Sequence, residues 1–492
     1  MSIAVSRLAQ ELPGARIVGS PEARVSGITY DSRKVRPGDL FVCIRGFVHD
    51  GHEFAAAALE RGARALLVER ELPLDAPQIV VEDSRRAMGI AAARLFGDPS
   101  QELRVIGVTG TNGKTTTAFL IRDLLSHAGR RTGLIGTVVQ DVGDRETPAS
   151  RTTPEAADIH RLMREMVDRG CRACAMEVSS HGLVLHRTAG VAFDVGVFTN
   201  LTQDHFDFHG SIEDYLEAKL LLFRSLAPGE SGVKANKAAI VNGDDPVAPR
   251  VAAASRVPVL TYGIRESNDL WASDVQVTAT GASFVARWGA TRVPVRLALT
   301  GRFNVYNALA ALAVGLVEGV DLQQAAAGIE KTVVPGRFEP VHGGQEFAVI
   351  VDYAHTPDSL ENVLKTARSL AEGRVICVFG AGGDRDRTKR PRMGDVAANL
   401  ADYVVITSDN PRSEDPAEIC RQVAEGARQR GRAPFEIVVD RREAIRRAVF
   451  MAERGDLVLI AGKGHETYQE IKGEKHHFDD REEALLAIRE RM

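Results

Sequence analysis

The sequence predicts an α/β protein of roughly three domains, at about 150 residues each. Three observations predict it. Short apolar, β-branched runs alternate with alanine-rich helical stretches along much of the chain, the pattern of strands joined by crossover helices. Residues 105–125 read as a strand (105–109), a loop carrying Gly110 and Gly113, and a helix in which Phe119, Leu120, Leu124 and Leu125 recur at helical spacing. The chain, at 492 residues, is also long enough to bury a large core.

Residues 1–100 alternate strand-like runs (28–30, 40–44, 65–68 and 79–81) with helical stretches (53–61 and 84–96), giving a small α/β domain. Asp31-Ser32-Arg33 and residues 45–51 are polar loops after apolar runs, where α/β sheets bind ligands, although solvated turns read the same way. Gly97-Asp98-Pro99-Ser100 reads as a linker.

Residues 101–335 read as a nucleotide-binding domain. Glycines 110 and 113 let backbone N–H groups close around phosphate oxygens at a helix N-terminus, Lys114 adds a point charge, and the Thr115 hydroxyl suits Mg²⁺. The general phosphate loop has a glycine where this chain has Val108, so the loop is the shorter Gly-x-x-Gly-Lys-Thr-Thr form. Apolar strands follow at 173–178 and 193–199. Glu177, near the end of the first, offers Mg²⁺ a hard oxygen, whereas a glutamate standing alone would be a surface residue. Asp204 and His205, beyond the second, are candidates for metal binding or proton transfer, with a hydrogen-bonded structural histidine as the plain alternative. Residues 211–226 form an amphipathic helix capped by Ser211, and composition gives no reason to read Lys219 on it as anything but solvated. A strand at 238–241, a turn at 242–246 and hairpins over 271–299 follow; a helix from Gly301 to about residue 317 then carries Asn304 and Asn307 on one side. Pro335-Gly336-Arg337 closes the segment.

Residues 336–492 contain four strands that each deliver a polar loop: 347–351 before Asp352-Tyr-Ala-His355, 375–379 before Gly380 to Asp386, 403–407 before Asp409-Asn410-Pro411-Arg412, and 457–460 before Gly462 to Glu466. Such alternation predicts a parallel sheet with its functional loops at the carboxyl edge. The 380–386 loop lacks Gly-x-Gly-x-x-Gly and is crowded with charge, so a dinucleotide cofactor is not expected there.

Charged residues make up 26% of the chain and the formal net charge is −4, which excludes an extended basic face for nucleic acid or anionic membrane. No stretch approaches the ~18 apolar residues of a membrane helix, and the N-terminus lacks a secretory pattern, so a cytoplasmic protein is expected. Five scattered cysteines cannot make a full disulfide framework, and Cys171 and Cys174 read as core thiols.

Assembled in order, these motifs closely resemble those of the Mur ligases of bacterial cell-wall synthesis. They are Gly110-Thr-Asn-Gly113-Lys114-Thr115-Thr116, Glu177-Val-Ser-Ser-His-Gly, Asn200-Leu-Thr-Gln-Asp-His205, Lys219, Gly301-Arg-Phe-Asn304-Val-Tyr-Asn307, Gly336-Arg337 and Asp352-Tyr-Ala-His355-Thr-Pro. The resemblance implies a three-domain architecture: an N-terminal UDP-substrate domain (1–100), a central phosphate-loop ATPase domain (101–335) and a Rossmann-like amino-acid-binding domain (336–492). Within the family, Asp409-Asn410-Pro411-Arg412 resembles the signature of ligases that add meso-diaminopimelate to UDP-N-acetylmuramoyl-L-alanyl-D-glutamate. The planar fork of Arg412 suits the distal carboxylate of that amino acid, a group lysine lacks.

The resemblance also implies roles. Gly110, Thr111, Asn112, Gly113, Lys114, Thr115 and Thr116 would hold ATP and a Mg²⁺, with Asn304 and Asn307 near the adenine and Arg337 and Asp352 clasping the nucleotide across a domain boundary. Glu177 and His205 would be metal ligands, and Lys219 matches a lysine that the family carbamylates, turning a cation into a carboxylate-like group that supports a second Mg²⁺. Tyr30, Ser32, Phe47, Val48 and His49 would meet the UDP part; Thr152, Thr153, Ser179, Leu185 and Arg187 would meet the muramoyl dipeptide. Arg385, Asp409, Asn410, Pro411, Arg412, Gly462 and Glu466 would form the diaminopimelate pocket. Two positions depart from some relatives: Arg151 replaces an asparagine and Leu185 a glutamine. The implied reaction passes the ATP γ-phosphoryl group to the D-Glu γ-carboxylate, after which the amine of diaminopimelate displaces phosphate, losing its proton to His355 or to a carboxylate. The expected partners are these small molecules alone, with the protein a monomer and neither nucleic acid nor membrane involved. Competing readings are a ligase that adds L-lysine or extends folate with glutamate, an inactive nucleotide-binding scaffold, and a general ATPase.

Overall fold

The computed structural model describes residues 2–46, 49–149, 151–202, 206–228, 234–278 and 280–492. They divide into two compact units, residues 1–271 with 307–328 and residues 272–306 with 329–492.

The first unit holds two large sheets and, among the described residues, a two-stranded pairing of Ile3–Ala4 with Arg24–Val25. A five-stranded sheet runs Arg16–Val18, Gln78–Val80, Ala65–Val68, Asp39–Val42, Gly27–Thr29, parallel except for its first strand. Leu40, Val42, Leu67 and Ile79 pack on Met88, Ala91 and Ala92 of the Ser84–Leu95 helix. The second sheet has a parallel core ordered Thr132–Ile135, Ala173–Glu177, Arg104–Thr109, Val195–Phe198, Ala238–Asn242, Val259–Gly263. Its middle strands are buried on both faces, which is why they read as unbroken apolar runs rather than as alternation. The Arg104–Thr109 strand lies where the order reverses: the chain leaves it for one side of the sheet and later returns to the other. That switch point brings together the loops that begin after Thr109, Glu177 and Phe198. The Lys114–His127 helix buries Leu120, Ile121, Leu124 and Leu125, each contributing about 1.5–3 kcal/mol of apolar burial.

In the second unit a six-stranded sheet runs Glu339–Pro340, Ala348–Asp352, Leu457–Ala461, Val375–Phe379, Tyr403–Ile406, Phe435–Ile437, parallel after its first pair. The Leu457–Ala461 strand, late in the chain, inserts between two earlier ones, so the loop after it emerges between theirs. All four predicted strands are present, and so is the antiparallel pairing expected over 271–299, as Gly281–Trp288 with Thr291–Leu297.

Local differences from expectation have local causes. Residues 97–100 are not a free linker: Asp98 takes a left-handed φ of 49° and Pro99 opens the short Pro99–Glu102 helix, Pro being favoured at a first helical position. The helix expected over 53–61 is a 3₁₀ turn, Gly51–Phe54, followed by Ala55–Glu60, because Asp50 caps it from the N-terminal side through the His52 N–H. The Val5–Glu11 helix and the Arg16–Val18 strand have no sequence-level counterpart; each is too short for its period to register. All five cysteines are buried and free. Among the described residues no helix is long and apolar enough to cross a membrane.

Candidate active site

The phosphate loop turns sharply out of its strand. Gly110 has φ 148°, and a Cβ there would collide with the Thr199 hydroxyl; Gly113 has φ 86°, and a Cβ there would collide with the Asn307 amide oxygen. The loop is therefore packed against the end of a neighbouring strand and the Arg302–Val317 helix, and only glycine fits either approach. Asn200 fastens it: its carbonyl accepts from Thr111 N at 2.9 Å, its Oδ1 from Asn112 N at 3.0 Å, and its Nδ2 donates to Asn112 O at 3.1 Å. Thr199 Oγ1 also donates to Asn112 O at 2.6 Å. Lys114 opens the helix and its Nζ donates to Gly110 O (2.9 Å) and Thr111 O (2.7 Å), placing a cation over the helix N-terminus. Asn307 Oδ1 accepts from Thr117 at 3.3 Å on the same helix.

Glu177 ends its strand buried and is held from three sides. Thr115 Oγ1 donates to Oε2 at 2.9 Å, Thr137 Oγ1 to Oε2 at 3.1 Å, and Thr137 N to Oε1 at 2.7 Å. A buried carboxylate beside the hydroxyl that follows the phosphate-loop lysine is a hard-oxygen pair, and this donor chemistry fits Mg²⁺. His205 lies outside the described residues, and among those described no group of three or more His, Cys, Asp or Glu side chains converges as a metal site. Lys219 departs from the solvated position expected of it. It is buried, its Nζ donates to Gly110 O at 2.9 Å, and it sits 4.0 Å from the centroid of the Tyr215 ring. The Ile212–Ser225 helix is capped by Ser211 as predicted, and Leu216, Leu222 and Phe223 carry Lys219 inward with them.

Beside Glu177 lies a polar floor. Thr153 Oγ1 donates to Glu177 O at 3.0 Å and meets Ser179 Oγ at 3.1 Å, Thr152 Oγ1 meets Thr137 Oγ1 at 3.0 Å, and Arg187 Nη1 donates to Thr153 O at 3.1 Å. Behind it Glu155, buried, pairs with three guanidiniums: Arg151 at 2.6 Å, Arg85 at 3.1 Å and Arg187 at 3.2 Å. Burial lowers the Arg187 pKa, and the Arg151 and Arg85 cations add to that against the opposing pull of Glu155. Tyr30 donates to Asp158 at 2.8 Å; burial and that carboxylate push its phenol well above the usual range. Ser32 opens a 3₁₀ turn whose Asp31 cap accepts from Arg33 N, and His49 is exposed, 6.2 Å from the Phe54 ring. Leu185 is half-buried at the end of the Ser180–Val184 helix. Phe47 and Val48 lie outside the described residues.

The second unit gathers its candidates at the carboxyl edge of its sheet. Asp352 is buried and accepts from Phe338 N and Ala354 N, both at 2.8 Å; burial raises its pKa against the pull of Arg337, whose guanidinium stacks 4.8 Å over Tyr353. His355 meets Tyr353 O through Nδ1 at 2.8 Å, so the carbonyl fixes Nδ1 as donor and leaves Nε2 as an acceptor. Desolvation in its loop and the nearby Lys389 cation lower its pKa, leaving the ring neutral at pH 7. Asn304, buried, donates to Thr300 O at 2.8 Å. Asn410 Nδ2 donates to Glu466 Oε2 at 2.7 Å, and Asp409 Oδ1 accepts from Asn410 N at 2.7 Å. Arg412, at φ 52°, donates from Nη1 to Gly383 O at 2.7 Å and pairs through Nε with Glu470 at 3.3 Å. Arg385 is exposed on the 380–388 loop, whereas Pro411 O abuts Gly383. Gly462, at φ 121°, lies against Asp409 Oδ2.

The chain matches three family models: Mur ligase family, catalytic domain (residues 24–95), Mur ligase middle domain (108–315), and Mur ligase, glutamate ligase domain (336–464). It is 48% identical over 476 residues, 96% of each chain, to a UDP-N-acetylmuramoyl-L-alanyl-D-glutamate--2,6-diaminopimelate ligase of Syntrophomonas wolfei. The chain belongs to the Mur ligase family. A Geobacillus thermodenitrificans relative of the same name is 48% identical over 98% of this chain and 99% of its own. A solved ligase of that name superposes with TM-score 0.69 at 35% identity, covering 100% of this chain and 99% of the other. MurF ligase from Thermotoga maritima, solved with ADP, shares the fold at TM-score 0.64 and 20% identity, over 95% and 98% of the two chains.

The three-domain Mur ligase architecture expected from the motifs is thus present. Several residues that organise the candidate sites of this Mur ligase had no role in the sequence reading. Thr137 joins Glu177 to Thr152. Glu155 gathers Arg85 and Arg187 from remote segments and gives the departure at Arg151 a partner four residues on. Arg390, fully buried, binds Glu414, Gln422 and Gly382 O, tying the 380–388 loop to the segment after Arg412. Arg441 does the same for two strand ends, pairing with Asp480 at 2.7 Å and donating to Ala461 O and Ser408 O. The burial of Lys219, a residue the sequence reading did name, had a usable signal in the apolar residues at i−3, i+3 and i+4 on its own helix face.

Proposed function

We propose that this protein ligates meso-diaminopimelate to the γ-carboxylate of D-Glu in UDP-N-acetylmuramoyl-L-alanyl-D-glutamate at the expense of ATP, in cytoplasmic peptidoglycan precursor synthesis. The observation that carries the reading is the cluster of Asp409, Asn410, Arg412 and Glu466 at one sheet edge, in a chain nearly half identical, end to end, to ligases of that name. On this reading residues 1–100 take the UDP part, 101–335 the nucleotide and 336–492 the amino acid.

The loop N–H groups and Lys114 hold the ATP phosphates, with Asn307 beside them and Asn304, Arg337 and Asp352 completing the nucleotide contacts. Thr115, Glu177, His205 and Lys219, the last as a carbamate, would hold Mg²⁺, which would offset charge between phosphate and carboxylate. The γ-phosphoryl group passes to the D-Glu γ-carboxylate, giving ADP and an acyl phosphate. The neutral amine of diaminopimelate then attacks the acyl carbon, the C–O bond breaks, phosphate leaves, and the amine proton passes to a base. His355, neutral with Nε2 as acceptor, supports that role. Thr152, Thr153, Ser179 and Arg187 take the muramoyl dipeptide.

The test is a competition: enzyme, ATP and UDP-muramoyl dipeptide with equimolar meso-diaminopimelate and L-lysine, read by product mass. The diaminopimelate adduct is expected to dominate, and a lysine adduct alone would refute the assignment. Two variants probe the parts. Arg412→Lys should raise KM for meso-diaminopimelate about tenfold or more, since a point charge replaces a planar fork. Glu155→Gln should raise KM for the UDP-substrate about tenfold, because three guanidiniums lose the carboxylate that positions them; unchanged steady-state constants would remove Glu155 from the substrate site.

A further inference from the structure

The reaction just described makes no use of Lys463, yet this lysine is entirely buried. It follows the Leu457–Ala461 strand, in the loop that emerges between those after Asp352 and Phe379. Its Nζ donates to Asn410 Oδ1 at 3.1 Å and lies 3.4 Å from Glu466 Oε2. Asn410 Oδ1 also accepts from Glu470 N at 2.9 Å. An oxygen flanked by an ammonium and an N–H leaves the amide one orientation, and Nδ2 is thereby turned onto Glu466.

A second carboxylate faces the same space. Asp409 is buried, and its Oδ2 has no hydrogen-bond partner among the described residues. Two neighbouring carboxylates oppose each other's ionisation. Burial and Asp409 raise the Glu466 pKa, with Lys463 and Asn410 pulling it down; burial also acts on Asp409, but Lys463 and Arg441 outweigh it and hold that group below the usual range. Arg441 is itself committed to Asp480, whereas Lys463 contacts both the Asn410 amide and Glu466.

We infer that Lys463 is a positioning residue for the incoming amino acid: a buried ammonium that locks the Asn410 amide against Glu466, next to the buried Asp409, ready for the ammonium end of a diamino acid. The inference rests on the diaminopimelate reading above. Lys463 does not touch the substrate; it acts through Asn410 and Glu466.

The experiment measures steady-state constants for wild type, Lys463→Met, Lys463→Gln and Asn410→Ala, and for Lys463→Met in the Asn410→Ala background, with melting curves for each. Lys463→Met should raise KM for meso-diaminopimelate about tenfold or more, as loss of a charged hydrogen bond implies, with KM for ATP and for the UDP-substrate within twofold of wild type. Lys463→Gln, which keeps a donor but no charge, should fall between. In the Asn410→Ala background the added effect of Lys463→Met should shrink below about threefold, since coupled residues are not additive. A folded Lys463→Met variant with unchanged KM for meso-diaminopimelate would overturn the inference, as would equal effects in both backgrounds. Wild type that releases no phosphate with meso-diaminopimelate would instead overturn the functional reading beneath it.

Discussion

Lys114→Met is expected to cut the turnover of UDP-muramoyl dipeptide and ATP by about a thousandfold, the loss that follows from removing a donor aimed at developing charge. The reasoning begins with the loop. Lys114 sits at the first turn of the Lys114–His127 helix, its Nζ held by two loop carbonyls, Gly110 O and Thr111 O. Those bonds keep the ammonium over the same N–H groups that would bind phosphate, so its charge adds to the helix dipole without reorganisation. Methionine keeps the aliphatic stem and removes only the charge. Phosphate release by the variant should fall while its melting temperature stays within a few degrees; activity within tenfold of wild type would show that the triphosphate binds elsewhere.

Lys219→Ala is expected to lose at least about a hundredfold in turnover, with partial recovery on adding a short carboxylic acid. A lysine that is buried, 2.9 Å from the Gly110 carbonyl and 4.0 Å from the Tyr215 ring centroid, stands beside the phosphate loop where metal chemistry calls for an anion. Addition of its neutral amine to carbon dioxide, with loss of a proton, gives a carbamate of the required charge. An added carboxylate occupying the vacated space would supply the same oxygens. Mass spectrometry of the intact wild-type protein under bicarbonate, against the alanine variant, gives an independent reading. Full activity of Lys219→Ala would remove the carbamate from the account.

How much of this was legible depends on how far apart the cooperating residues lie. The phosphate loop is local, with strand, two glycines, lysine and helix inside some twenty residues, and it folds as its sequence reads. Glu177 and the four loops of the second unit were placed by the rule that parallel sheets gather function at their carboxyl edges. Burial of Lys219 required weighing its apolar neighbours at helical spacing over its own charge, and composition alone points the wrong way. Glu155 was invisible because two of its three arginines come from positions 85 and 187, which no periodicity connects to it. Arg390, Arg441 and Lys463 are buried cations whose carboxylate or amide partners are mostly remote in sequence, and burial of a charge is the property that sequence pattern is least able to announce.

The most direct test of the whole account is phosphate release by the purified wild-type protein with ATP, measured as each substrate is left out in turn. Release is expected only when UDP-N-acetylmuramoyl-L-alanyl-D-glutamate and meso-diaminopimelate are both present, and L-lysine should not replace the latter. Equal release without the muramoyl substrate, or release with L-lysine and none with meso-diaminopimelate, would contradict it.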